Sequence, residues 1–224
     1  MVWGRDGAAV IVGSMEHTGT PLLDDDLGRR LLDQRTLLLG SGLDERLGNR
    51  LTTSILMLAD DDPSADIWLW INSPGGSVPA MLAIRDTMRL VPNDVCTVNL
   101  GMAYSAGQFL LSSGTRGRRY SLTHAKVLLH QGSAGFGGTA EDIAIQADDL
   151  RHTRDVVLGL IAEDTGQDVE TVERDSRRDR MYTVEEARRY GDHGFIDHVV
   201  TSLDQIRPRT HHTVGLGAPL GSRG

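Results

Sequence analysis

Between about residues 27 and 204, short apolar runs alternate with amphipathic stretches, a pattern that predicts helices layered on a sheet. Residues 37–39 predict a strand. Leu43, Leu47, Leu51, Ile55 and Leu58, spaced by four and three, predict a helix that the breaker run 60–63 ends. Residues 67–71 are an apolar strand running into Asn72-Ser73-Pro74-Gly75-Gly76, and 78–90 a helix with Met81, Ile84 and Met88 on one side. The unit then repeats: a strand over 95–100, a turn over 101–104 and a short helix over 106–112. Residues 120–122 and 127–129 add strands, 132–138 are glycine-rich, and 139 to about 163 form a long helix. Thr139 with Asp142, and Thr183 with Glu186, have the spacing of capping boxes. Residues 1–26 lack periodicity and predict a flexible arm; the Gly, Pro and Arg of 205–224 predict a disordered tail.

Composition narrows the function. A chain of 224 residues supports one good core. Its formal charge of −8 gives no basic footprint, so nucleic acid and anionic membrane surfaces are not expected partners. Of 23 basic residues only Lys126 is a lysine. The single Cys96 excludes a disulfide framework and, in an apolar run, reads as a buried, inert thiol. The longest early apolar stretch, 8–12, is too short for a signal-peptide core or a membrane span, which predicts a cytoplasmic chain.

Ser105, in Ala103-Tyr104-Ser105-Ala106-Gly107, sits where small neighbours permit a sharp strand-to-helix turn beside free helix N-terminal amides. This is a relative of G-x-S-x-G, and an ordinary helix cap and a nucleophile are both open there. The glycine pair 75–76 allows backbone N–H groups to approach a substrate. His130 ends a strand, from which an imidazole can face a cleft or serve structure alone. No G-x-x-x-x-G-K-[ST] and no H-E-x-x-H occurs, so neither a phosphate loop nor a zincin site is expected; the Asp192, His193, Asp197, His198 cluster is a weak metal candidate. With 31 acidic residues, the chain alone does not choose an orienting carboxylate. The acid-rich helical region lies mostly after His130, which favours the order Ser, His, acid over the Ser, acid, His of α/β-hydrolases.

These blocks together resemble the Clp protease proteolytic subunit (ClpP) family over roughly residues 27–204. Ile71-Asn72-Ser73-Pro74-Gly75-Gly76-Ser77 is similar to its oxyanion turn, and the block from Gly101 to Leu111 to its nucleophile segment. Leu129-His130-Gln131 is similar to its histidine strand, and Glu173-Arg174-Asp175-Ser176-Arg177-Arg178-Asp179-Arg180 to the block that completes its triad. The resemblance implies an α/β, crotonase-like fold of stacked β-sheets built from βαβ units, with a helical handle protruding over about 132–163. It implies a serine peptidase with Ser105, His130 and Asp179 as triad, Gly76 and Ala106 amides as oxyanion hole, Arg178 at ring contacts, and no metal or cofactor. It further implies two stacked heptameric rings, formed alone or with a paralogue, that receive unfolded polypeptides from a Clp-type AAA+ ATPase unfoldase. Departures are Ala106 for the family's methionine, Gly132 for its proline, an inserted Asp192-His193-Gly194, and an N-terminal arm without the familiar sequence. An idle ring subunit beside an active paralogue, and an acyl-CoA-handling crotonase enzyme, are the other readings. The complete Ser105, His130, Asp179 set argues against both.

Overall fold

The structure, a computed structural model, describes residues 21–132 and 137–206. Helix α1 (Pro21–Asp33) precedes strand β1 (Thr36–Leu39), α2 (Glu45–Asp61), β2 (Ile67–Ser73), α3 (Val78–Leu90), β3 (Val95–Tyr104) and α4 (Ala106–Ser112). Strands β4 (Arg119–Leu122) and β5 (Lys126–Leu129) lead to α5 (Ala140–Thr165), α6 (Val169–Ser176), β6 (Arg180–Tyr182), α7 (Val184–Arg188) and β7 (His198–Val200). The arm expected over 1–26 is shortened by α1, which starts at Pro21. Its first twenty residues, the centre of the glycine-rich segment (133–136) and the tail from 207 lie outside the described residues.

Among the described residues, seven strands make one mixed sheet in the order β1-β2-β3-β4-β7, with β5 beside β3 and β6 beside β5. Every pairing is parallel except β5 with β6. Alternation along β2 sorts its side chains: Ile67, Leu69 and Ile71 join Ile55, Leu58, Ile84 and Met88 in the main core, while Trp68 packs with Cys96, Val98 and Val200 on the other face. Each such buried side chain contributes roughly 1.5–3 kcal/mol. Burial pushes the Cys96 thiol up to about 12, so it is inert at neutral pH.

Two expectations change. Leu43 is not helical: Asp44, whose side chain accepts from the Leu47 N–H, starts α2 one residue later, and Leu43 instead forms a parallel bridge with Gly76. Residues 101–104 are not a turn but the second half of β3. Ile71 pairs with Asn99 and Ser73 with Ala103, so four steps on β3 match two on β2. Asparagine side chains splint this bulge. Asn72 Oδ1 accepts from the Met102 N–H at 3.1 Å, Asn99 Oδ1 from the Gly101 N–H at 3.1 Å, and Asn99 Nδ2 donates to the Lys126 carbonyl at 3.0 Å. Beyond the bulge β3 exchanges its neighbour β4 for β5.

Helix α5 is capped by the Thr139–Asp142 box and ends on Gly166 at φ 70°. Its buried residues, Leu158, Ile161, Ala162, Asp164 and Thr165, all lie in its last third, so its first turns project from the domain. At its base Arg119 is fully buried. It pairs with Asp197 at 2.6 Å and donates to the carbonyls of Ser112, Asp164, His193 and Gly194. The segment Asp192-His193-Gly194 thus supplies two of its acceptors. Burial opposes ionisation of Asp197, but hydrogen bonds and charge from Arg119 outweigh it and hold the carboxyl below its ordinary range.

Candidate active site

The bulged end of β3 delivers Ser105 to the start of α4. Its backbone adopts φ 55° and ψ −117°, a conformation that costs a non-glycine residue on the order of 1–3 kcal/mol. The Ser105 N–H donates to the Leu128 carbonyl at 3.0 Å, and its carbonyl accepts from the Phe109 N–H at 3.0 Å. Its hydroxyl makes no capping bond, so the ordinary helix-cap reading does not describe it.

The glycine turn after β2 lies directly against this serine. Gly75 has φ 102° and Gly76 φ 148°, both left-handed-side conformations that favour glycine. A Cβ on Gly75 would stand 2.7 Å from Ser105 Cβ, and one on Gly76 would stand 2.0 Å from the Leu43 carbonyl oxygen. Leu43 flanks the turn on both sides: its N–H donates to the Gly75 carbonyl at 2.8 Å and its carbonyl accepts from the Ser77 N–H at 2.7 Å. Among the described residues neither the Gly76 nor the Ala106 N–H is spent on a backbone bond. Ala106 is the first residue of α4, where helix N–H groups have no intrahelical partner.

His130 follows β5 and Asp179 precedes β6. The antiparallel register pairs Leu128 with Met181 and Leu129 with Arg180, so the next step along both strands sets His130 opposite Asp179. His130 Nδ1 lies 3.2 Å from Asp179 Oδ1. The imidazole is 30% exposed and the carboxylate 74% exposed. Further bonds keep the register: the Gln131 N–H donates to the Ser176 carbonyl at 2.7 Å, and the half-exposed Arg180 pairs with the nearly buried Asp175 at 2.5 Å while covering the Tyr182 ring. No hydrogen bond joins Ser105 Oγ to His130 among the described residues.

A family model described as Clp protease matches residues 23–203. The chain belongs to the Clp protease family. It is 54% identical to the ATP-dependent Clp protease proteolytic subunit 3 of Streptomyces coelicolor, over 90% of this chain and 93% of that protein. It is 51% identical to subunit 1 of Frankia casuarinae, over 84% of this chain and 87% of that protein. It is 50% identical to subunit 2 of Corynebacterium glutamicum, over 84% and 92% respectively. The seven-stranded mixed sheet with its helices is consistent with the fold of this family.

Other candidates fall elsewhere. Asp197 is committed to Arg119, and His198 Nε2 lies 3.1 Å from the Gly117 carbonyl. Among the described residues no group of three or more His, Cys, Asp or Glu is arranged to hold a metal ion. Lys126 opens β5, the strand that His130 follows, and is exposed. Arg178, expected at ring contacts, is exposed in the single chain. Strand β6 escaped sequence reading because three residues carry too little periodicity, although Tyr182 opposite Val127 is its buried anchor.

Proposed function

We propose that this chain is a serine endopeptidase subunit of a compartmentalised, ATP-dependent protease. The observation that carries the reading is the contact between the two turns: a strained serine with an uncommitted hydroxyl, against a glycine turn whose N–H is also uncommitted. In this reading His130 takes the proton of Ser105 as Oγ bonds to the peptide carbonyl carbon. The Gly76 and Ala106 N–H groups hold the oxyanion. The C–N bond then breaks with the His130 proton passing to the leaving amine, and water, deprotonated by His130, releases the acyl group. Asp179 accepts from the His130 Nδ1–H and so keeps that tautomer. The chemistry calls for no metal or organic cofactor.

The names of the relatives support the assembly side: they are proteolytic subunits of ATP-dependent Clp proteases, numbered 1, 2 and 3. We assign the peptidase domain to residues 27–204, extended back to Pro21 by α1, with residues 132–163 joining two heptameric rings. The rings form from this chain alone or with a paralogue, and a Clp-type ATPase delivers unfolded polypeptide in the cytoplasm. Among the described residues no helix is long and apolar enough to cross a membrane. The test is a fluorophosphonate probe on the assembled protein, with the labelled residue mapped by mass spectrometry. Label on Ser105 is expected; label elsewhere, or none on an assembled ring, overturns the mechanism in favour of an idle subunit.

A further inference from the structure

Between β1 and β2 the ladder slips by one residue. Leu39 pairs with Ile71, an offset of 32, whereas Leu43 bridges Gly76, an offset of 33. A slip in a parallel ladder leaves backbone groups without their regular partners, and a buried one must find another. Ser73 sits at this point with 0% of its surface exposed. Its hydroxyl donates to the Ser41 carbonyl at 2.7 Å and accepts from the Gly75 N–H at 3.1 Å, so one oxygen replaces the rung that the slip removes. The two bonds act on the residues that need holding. Gly75 and Gly76 carry positive φ and little intrinsic preference, so the orientation of the Gly76 N–H comes from bonds to other residues: the Leu43 N–H on the Gly75 carbonyl and the Ser73 hydroxyl on the Gly75 N–H.

We propose that Ser73 is a positioning residue for the oxyanion site: through Ser41 on one side and Gly75 on the other it aims the Gly76 N–H at the point also faced by the Ala106 N–H. The inference rests on the serine-peptidase reading above. Two bonds meet at this hydroxyl, and the residues they join lie beside the nucleophile segment. Ser41 belongs to the segment after β1, Ser73 pairs with Ala103 of β3, and Gly75 touches Ser105 itself. Removing the hydroxyl leaves β2 in place through its ladder and the two Leu43 bonds to the turn intact, but frees the Pro74–Gly75 peptide that leads into Gly76. The loss therefore falls on the tetrahedral state and not on ground-state binding of substrate.

The test compares Ser73→Ala with the natural protein, in assembled particles, for hydrolysis of a short peptide and for inhibition by the matching peptide boronate, which presents a tetrahedral oxyanion to the site. The expected result is a kcat roughly 10²-fold lower, as for loss of an oxyanion donor, with KM within about twofold. The boronate inhibition constant should rise by the same factor as kcat/KM falls. The near-isosteric pair Ser73→Thr and Ser73→Val isolates the hydroxyl should the alanine variant fail to assemble: threonine should stay active and valine should not. Unchanged kcat and boronate affinity in Ser73→Ala, or equal activity of the threonine and valine variants, overturns the inference. If the natural protein is labelled on Ser105 while Ser73→Ala is fully active, this inference alone fails. If the natural protein is not labelled there, the underlying reading fails with it.

Discussion

His130 and Asp179 face each other across the end of the β5–β6 ladder, one step past the pair Leu129 and Arg180, with Nδ1 3.2 Å from Oδ1. Forty-nine residues separate them in sequence, yet a three-residue strand fixes their distance. Because the Asp179 carboxylate is largely exposed, water screens its charge, and its value lies in geometry more than in raw electrostatics. Asp179→Asn keeps the shape but offers a wrong hydrogen-bond partner to the imidazole. We expect kcat to fall by about 10²–10⁴-fold with assembly unchanged, measured by peptide turnover beside sedimentation. Turnover within a few-fold of the natural protein would remove Asp179 from the mechanism.

A Ser–Lys dyad that used Lys126, the chain's only lysine, as base would make an opposite prediction. Lys126 precedes His130 by four residues, about 13 Å along a strand, and reaches outward from the start of β5. Lys126→Arg should retain peptidase activity and His130→Ala should abolish it. The reverse pattern in assembled protein would mean that the base is the lysine.

The bulge of β3 gives a stability prediction. Asn72→Ala strips the acceptor from the Met102 N–H at the point where β3 leaves the regular register. A part-buried donor left unpaired costs about 1–3 kcal/mol, seen as a lower urea midpoint at constant m-value. Since Ser105 follows directly on this segment, activity should fall more than the folded fraction does. A variant equally stable and equally active would show that the bulge holds without its splint.

Much of this fold was legible before the structure. The α3 and α4 boundaries and both capping boxes follow from sequence because local rules set them: periodicity, caps and breakers. What sequence concealed depends on register. Gly101 reads as a turn, yet β3 runs through it because Asn72 and Asn99 supply hydrogen bonds from outside the segment. Leu43 fits a helical stripe, yet Asp44 caps the helix after it. For the site, Ser105 and His130 stand out as residue types in place. Asp179 came only through family resemblance, since one carboxylate among 31 acquires meaning only by facing His130 across a ladder that three residues do not announce.

Buried charge gives a prediction for pH. Arg119 holds the Asp197 carboxyl below its ordinary value, so the folded protein binds that proton less readily than the unfolded chain does. The contribution to stability is therefore complete above the unfolded value of about 4 and is lost as pH falls below it through the lower folded value. Asp197→Asn should flatten the acid limb of a stability–pH curve in that window and lower stability at pH 7. Arg119→Met, which removes the partner charge and leaves the carboxylate only its two backbone N–H donors, should cost up to about 3–5 kcal/mol at pH 7. Identical acid limbs in Asp197→Asn and the natural protein would assign acid sensitivity to other groups.

The last prediction separates folding from assembly along α5. Ile143, Ala147, Leu150 and Arg154 share one helical side, which by pattern alone could pack on its own domain or against another subunit. The single chain does not use it so: Ile143 is 41% and Leu150 38% exposed, and burial begins only at Leu158. A charge placed at either position meets water in the isolated subunit and costs the fold little. In the assembly proposed here the same charge is buried without a partner, at a cost of several kcal/mol at each copy of the contact. Ile143→Glu and Leu150→Glu should therefore leave the denaturant midpoint of the separated subunit within about 0.5 kcal/mol while shifting sedimentation to smaller particles. Peptidase activity should fall with particle size, because α5 lies between His130 and Asp179 in the chain and its loss of order reaches both. Full-sized, active particles from both variants would show that this side of α5 is simply solvated surface, and that ring stacking rests elsewhere.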